Sequence, residues 1–185
     1  MRSKDYVNKA VELYNNAIEL GEKVKDKTYY LTQLHLIALL ARNNRNQESI
    51  DKYEKILKDE PNNIQHYISI CSAYQFSKHY DKAWGIIECG LKIDANNALL
   101  LTYAGDICKC LNKYDDAIAY WDKSFKIDNE IPDNLFSKVF LYQELDEKEK
   151  ALEMWLEIIC WLEQRGFHID VKWANTELEK LKKNL

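Results

Sequence analysis

Apolar residues recur at intervals of three and four positions along almost the whole chain, the spacing that places them on one side of an α-helix. Five glycines and two prolines in 185 residues leave few helix breakers, and Pro61 and Pro132 stand at breaks in the pattern. The pattern predicts helices over 3–26, 29–43, 47–59, 63–77, 80–93, 98–111, 114–127, 133–145 and 148–165, and one more after Gly166. We therefore expect an all-α protein of about ten helices.

The two ends of the chain each carry a narrow apolar stripe. In the last helix Asp170 is the expected capping residue, and Gly166 is the expected left-handed stop of the helix before it. A helix with one apolar side fits the end of a stack, because its other side meets water. The first stripe comprises Val7, Ala10, Val11, Tyr14, Ala17, Ile18 and Val24, and the last Val171, Ala174, Leu178, Leu181 and Leu185.

One short unit occurs nearly twice in the middle of the chain. Tyr-Asp-Lys-Ala-Trp at 80–84 corresponds to Tyr-Asp-Asp-Ala-Ile at 114–118, and Leu-Lys-Ile-Asp at 91–94 to Phe-Lys-Ile-Asp at 125–128. Ala83 and Ala117 are 34 residues apart, and the same step leads back to Ser49 and forward to Ala151. A fixed period of this length predicts stacked helical units. Each small residue is expected to let the two helices of a pair approach closely, and a bulky residue four positions on is expected to fill the remaining gap: Tyr53, Ile87, Trp121 or Trp155.

Charge and cysteine content narrow the class of protein. The 30 acidic residues outnumber the 26 basic ones, for a net charge of −4, which argues against binding to nucleic acid. Five scattered cysteines do not suggest a disulfide framework, so we expect a reducing, cytoplasmic location. No signal peptide and no apolar run long enough for a membrane span is found.

The sequence offers little chemistry for catalysis. Cys108 and Cys110 lie two apart on a predicted helix, so their side chains point about 200° from each other and do not form a metal or redox pair. Asp115 and Asp116 begin a helix, where negative charge is favourable. We expect no enzyme activity, no cofactor and no metal. The histidines are expected to be surface or turn residues: His35, His66, His79 and His168.

The residues resemble the tetratricopeptide repeat (TPR) family. The segment 101–105 (Leu-Thr-Tyr-Ala-Gly), followed by Tyr114, Ala117 and Trp121, is the best copy of the family pattern. The resemblance implies an α-solenoid of antiparallel helix pairs in a right-handed superhelix, as a single domain over 1–185. Its parts are an N-terminal helix (1–29), four repeats (30–63, 64–97, 98–131, 132–165) and a capping helix (166–185). The N-terminal helix corresponds to the second helix of a repeat, so it forms a half repeat. Its missing first helix leaves open that the chain belongs to a larger repeat array, whereas Met1 and the capping helix favour a complete chain.

The resemblance also implies a binding site. In such proteins the face of each first helix opposite its packing stripe lines a concave groove that holds a peptide. At 100° per residue, these faces carry apolar residues among small polar ones. The alternative is that these side chains pack on neighbouring repeats or on the N-terminal helix. The candidate protein-binding residues are Leu31, Ser69, Ser72, Phe76, Tyr103, Asp106 and Phe140.

The expected function is that of an interaction module or scaffold that binds a protein or peptide segment. A small dedicated chaperone remains an alternative. So does a structural subunit that self-associates through its tryptophan-bearing C-terminal end (Trp155, Trp161, Trp173) or its convex face. In the family, members that bind chaperone C-termini use Lys, Asn and Arg at set groove positions. The predicted faces here lack that set, so an acidic C-terminal peptide is not the expected ligand.

Overall fold

The computed structural model describes residues 2–24, 27–43, 45–130 and 132–183, and these residues form ten α-helices and no strand. The predicted all-α class is confirmed. Two compact units make up the chain, Met1–Ala95 with α1–α5 and Asn96–Leu185 with α6–α10. The predicted repeat boundaries within a single domain stay a prediction. The helices are α1 (Arg2–Gly21), α2 (Lys27–Arg42), α3 (Asn46–Asp59), α4 (Ile64–Phe76), α5 (Tyr80–Ile93), α6 (Ala98–Cys110), α7 (Tyr114–Ile127), α8 (Asp133–Glu144), α9 (Lys148–Gln164) and α10 (His168–Lys183).

Helices α3 to α9 begin and end within one residue of the predicted positions, because the capping residues are legible in the sequence. Asn63 accepts a hydrogen bond from the Gln65 backbone N–H at 3.1 Å and starts α4. Asn97 does the same for Leu100 at 3.1 Å and starts α6. These side chains satisfy N–H groups that have no partner inside the helix.

The two terminal helices differ from prediction in detail. Helix α1 ends at Gly21, and Val24, which was placed on its stripe, lies in the following turn with 71% of its surface exposed. Ala17 is exposed as well. Helix α10 begins at His168, so Asp170 lies in its first turn and does not precede it as a cap. Gly166 has φ +74°, as predicted. Leu185 lies outside the described residues.

The 34-residue sequence period is also a structural period. Lys78, Asn112 and Asp146, each 34 residues from the next, have φ of 58°, 59° and 58°, and all three lie between the helices of a pair. The residue after each donates its backbone N–H to the carbonyl five positions back, a bond of the Schellman type that closes a helix end. These bonds are His79 to Tyr74 (2.9 Å), Lys113 to Cys108 (2.8 Å) and Glu147 to Tyr142 (2.9 Å).

The first unit packs α1 on α2 and continues through helix pairs. Val7, Val11, Tyr14 and Ile18 of α1 pack against a core that includes Leu36 and Leu40 of α2. Ser49 of α3 is buried at the position that Ala83, Ala117 and Ala151 occupy in the later repeats. Its hydroxyl donates a hydrogen bond to the Ile37 carbonyl at 3.1 Å, so this buried polar group has a partner. Helix α4 contacts α2 as well as its neighbours α3 and α5.

The second unit has two large side chains at its centre. Trp121 of α7 lies against Gly105 of α6, where an added Cβ would come within 2.4 Å of the indole Nε1. Trp155 of α9 packs with Leu135 and Val139 of α8 and with Ala174 and Leu178 of α10. Both indoles are fully buried, as are Ala83, Ala117 and Ala151, which confirms that these small and bulky positions lie in the core.

Candidate protein-interaction site

The predicted face of the second unit is shared by α6 and α8. Lys109 of α6 donates to the Glu144 carboxylate of α8 at 2.9 Å, so the two helices present adjacent surfaces. Tyr103 on α6 is half-buried, and Phe140 on α8 is 43% exposed. The inward residues of α6 are buried as predicted: Leu101, Ala104, Gly105 and Cys108. The structure therefore brings Tyr103 and Phe140 onto neighbouring helices of one unit.

Asp106 has a different environment from the other candidates. Its Oδ1 accepts a hydrogen bond from the Trp121 indole N–H at 3.1 Å. Burial raises the pKa of this carboxyl to about 6; the Trp121 hydrogen bond and nearby Lys109 oppose the rise, and Asp133 adds to it. Asp106 therefore links the candidate face to the core, a role for which its spacing in the sequence gives no signal.

The candidate residues of the first unit lie on α2 and α4. Leu31 is in the second turn of α2, and Phe76 is the last residue of α4 and is 74% exposed. Ser69 and Ser72 precede Phe76 in α4 and are half-buried. The Ser69 hydroxyl donates a hydrogen bond to the Gln65 carbonyl at 2.9 Å. Phe76 is thus the most exposed of the predicted binding residues.

An aromatic cluster in the second unit was only partly foreseen. Phe136 and Phe140 of α8 meet Trp155 of α9 at centroid distances of 6.3 and 6.2 Å, and Trp173 of α10 lies 5.5 Å from Trp155. The sequence showed a concentration of tryptophans at this end, but α8 and α10 are 24 residues apart and their contact was not predicted. The cluster borders a cavity of about 370 Å³, whose lining also includes Trp161, Phe167, Glu130 and Asp170.

His66 corrects the prediction that all four histidines are surface or turn residues. Its side chain is buried, and its Nε2 lies 2.8 Å from the Glu60 carboxylate. The Tyr30 ring of α2 is 6.1 Å away. The prediction was wrong because α4 packs against α2 as well as its own partner, and this third contact covers a face that periodicity assigns to solvent. His35, His79 and His168 are exposed, as predicted.

A second apolar stripe on α1 was missed. Tyr6, Leu13 and Leu20 recur every seven residues and are each more than half exposed. They lie roughly 100° around the helix from the packed stripe of Val7 and Val11. The seven-residue spacing was visible in the sequence, but it was masked by the stronger three- and four-residue pattern of the packed side.

The described residues do not meet the requirements of a metal site or of a membrane-spanning helix. Cys108 is buried, and burial raises the pKa of its thiol to about 11, whereas Cys110 is exposed. No three His, Cys, Asp or Glu side chains in the described ranges come together in a way that could hold a metal ion. None of the helices described combines the length and apolar composition that crossing a bilayer requires.

Comparison with family models and with curated protein sequences finds no match for this chain. Solved structures do match it. A TPR protein from Parabacteroides merdae ATCC 43184 shares 15% identity at a TM-score of 0.69, over 98% of this chain and 69% of that one. A thermophilic TPR protein of Thermus thermophilus shares 14% identity at a TM-score of 0.68, over 96% and 92% of the two chains.

A third similar structure is MamA, residues 41 to the end, from Desulfovibrio magneticus RS-1. It shares 15% identity at a TM-score of 0.62, over 84% of this chain and 96% of that one. At such identities the likeness concerns the fold. The chain therefore has the all-α solenoid fold of the tetratricopeptide repeat proteins, as its sequence resemblance implied.

Proposed function

We propose that this protein is an interaction module that holds a segment of a partner protein against the first-helix faces of its repeats. The observation that carries the proposal is the exposure of large aromatic side chains on those faces, Phe76 in the first unit and Phe140 in the second. Phe is among the residues most often buried in folded proteins, and exposed apolar surface often marks a binding site.

The composition of the faces supports a peptide ligand. Half-buried Ser69 and Ser72 accompany Phe76, and half-buried Tyr103 and Asp106 accompany Phe140. Large rings supply contact area, while hydroxyl and carboxyl groups can pair with the main chain of a bound segment. The net charge of −4 favours a partner segment that is not acidic. We place this function in the cytoplasm, because the five cysteines are scattered along the chain and do not suggest a disulfide framework.

The test is capture of partners from a lysate of the source cells by the wild type and by a triple variant, Phe76→Ala, Tyr103→Ala and Phe140→Ala. Ile93→Ala, Ile127→Ala and Leu156→Ala form the matched control, since these side chains are apolar and at least 40% exposed but lie on α5, α7 and α9, off the candidate faces. Both variants must keep the helical circular dichroism of the wild type. We expect a protein that the wild type and the control capture and the face variant loses. Equal capture by all three would refute the proposal.

Self-association is a second candidate, because the Tyr6, Leu13 and Leu20 stripe of α1 is an exposed apolar surface of its own. Sedimentation at increasing concentration tests it: a monomeric mass throughout would remove this candidate. A dedicated chaperone role stays a prediction, tested by whether a client protein becomes soluble only when both are co-expressed.

A further inference from the structure

The cavity of the second unit has an unusual lining. Phe136 and Phe140 of α8, Trp161 at the end of α9, Phe167 in the following loop and Trp173 of α10 supply aromatic walls. Glu130 and Asp170 supply carboxylates, and no Lys or Arg belongs to the lining among the residues that the structure describes. Its volume of about 370 Å³ is at the small end of the roughly 300–1,000 Å³ of ligand sites. The space suits one side chain or a similarly small group.

The aromatic rings of the lining pack against one another and against Trp155. Trp155 meets Trp173 edge to face, with an interplanar angle of 78°, and Phe136 lies 5.7 Å from Trp173. Phe167 stacks on Trp161 at 5.9 Å with an angle of 14°. Rings that hold one another in place lose little freedom when a ligand binds, so more of the contact energy is available for affinity.

The chemistry of the lining favours a cation. Aromatic faces carry negative charge density and attract ammonium or guanidinium groups within about 6 Å. The protein already makes this contact at the edge of the site. The Arg165 guanidinium lies 4.2 Å from the Trp161 ring centroid and 3.4 Å from a Glu130 oxygen. One cation of this chain is thus held by one ring and one carboxylate of the same lining.

The remaining groups of the lining form a second, open set of the same kind. Trp173 and Phe140 are each 43% exposed. Asp170, in the first turn of α10, has no side-chain partner within the residues that the structure describes. A neutral ligand would take water from the carboxylate without pairing it, which is unfavourable, whereas a cation would pair with it and lie against the rings.

We propose that this cavity binds one cationic side chain, Lys or Arg, of the partner segment. This proposal rests on the proposed function for the identity of the partner. The preference of the cavity for a cation does not depend on the proposed function. The cation lies between Trp173 and Phe140 and pairs with Asp170. The alternatives are a neutral apolar side chain and the lysines of a second copy of this chain.

The first experiment uses small probes, so that no partner protein is needed. Protein with ¹⁵N-labelled indoles is titrated with N-acetyl-arginine amide, with N-acetyl-trimethyl-lysine amide and with the neutral analogue that carries tert-butyl in place of trimethylammonium. We expect saturable shifts of the Trp161 and Trp173 indole signals, with the neutral analogue binding roughly tenfold more weakly than its charged counterpart. The Trp84 signal, from the first unit, is the internal reference.

The second experiment uses Asp170→Asn, which keeps the size of the side chain. It should weaken the charged probes severalfold and leave the neutral analogue unchanged. Asp115→Asn is the matched control, because Asp115 is likewise exposed in the first turn of a helix, α7, but does not line the cavity. Equal affinity of the charged and neutral probes, or no shift at Trp161 and Trp173, would overturn the proposal.

Lysate capture with the same variant separates this inference from the proposed function. Reduced capture by Asp170→Asn, with full capture by Asp115→Asn, supports the partner's cation as the occupant. Full capture by Asp170→Asn of a protein that the face variant loses overturns the inference and leaves the proposed function standing. If the charged probes bind but the triple variant Phe76→Ala, Tyr103→Ala and Phe140→Ala captures the same proteins as the wild type, the proposed function is overturned and this inference is not. A wild-type dimer that Asp170→Asn converts to monomer would show a second copy as the occupant, contrary to the proposal.

Discussion

Folding changes the pKa of the Asp106 carboxyl. Its pKa of about 6 exceeds its usual value of 3.8, chiefly because burial disfavours the charged form. The folded protein therefore holds this proton more tightly than the unfolded chain does. The resulting stabilisation is complete below about pH 4 and is lost as the pH rises through about 6.

We expect Asp106→Asn to gain stability relative to the wild type between pH 4 and pH 7, by up to about 3 kcal/mol. The amide oxygen of Asn can still accept the Trp121 hydrogen bond, so the main change is the loss of a buried charge. Denaturant unfolding of both proteins across this pH range measures the difference. Asp115→Asn controls for the change in net charge. Parallel stability curves for the wild type and Asp106→Asn would contradict the assignment.

Two glycines in helices should respond in opposite ways to the same substitution. A Cβ at Gly105 would lie 2.4 Å from the Trp121 indole and 3.0 Å from the Ala117 carbonyl, and a backbone atom cannot move away easily. Gly105→Ala should therefore cost on the order of 1–3 kcal/mol. Gly85 has open space around it, so Gly85→Ala should stabilise α5 by roughly 0.5–1 kcal/mol. Thermal melts give both signs, and a destabilised Gly85→Ala would show that its surroundings are not open.

At the scale of helices, the features that depend on residues close together in the sequence were the ones that could be predicted. Caps, breakers and the 34-residue period are written in nearby residues, and they placed α3 to α9 within one residue. The burial of His66 and the joining of α8 to α10 through Phe136 and Trp173 depend on which helices meet, and no local pattern carries that information. The candidate residues lie on the helices predicted for them, but the hydrogen bond that ties Asp106 to Trp121 was not predictable from the sequence for the same reason.

The two asparagine caps make a test at this scale. Asn63→Ala and Asn97→Ala should each cost about 0.5–2 kcal/mol, since each leaves a backbone N–H without its acceptor. The loss should be larger at Asn63, which also donates to the Glu60 carboxylate at 2.7 Å. Asn62→Ala, an exposed turn position next to Asn63, should change stability by less than about 0.5 kcal/mol. Unfolding by urea measures all three, and equal losses would argue against a capping role.

For the molecule as a whole, the 34-residue repeat explains why the scaffold could be predicted from the sequence and why other surfaces could not. The turns at Lys78, Asn112 and Asp146 have nearly the same φ and the same closing hydrogen bond, so three successive helix pairs are joined in the same way. Further exposed apolar and aromatic surface occurs near the ends of the chain, at α1 with its exposed Tyr6 and Leu13 and at the aromatic cavity beside α10. The period therefore predicts the scaffold, but it does not predict these two surfaces.

The hydrogen bonds between residues far apart in the chain have a consequence for the speed of folding. Asn8 and Arg45 are 37 residues apart in the chain, Lys109 and Glu144 are 35 apart, and Asn129 and Trp161 are 32 apart. Each such contact closes a loop about as long as one repeat, and short loops lose little entropy on closure. Stopped-flow refolding from urea should therefore finish its main phase within roughly milliseconds, as in other helical proteins with local contacts. Because each unit holds its own local contacts, ordering can begin in either one without waiting for distant parts of the chain to meet.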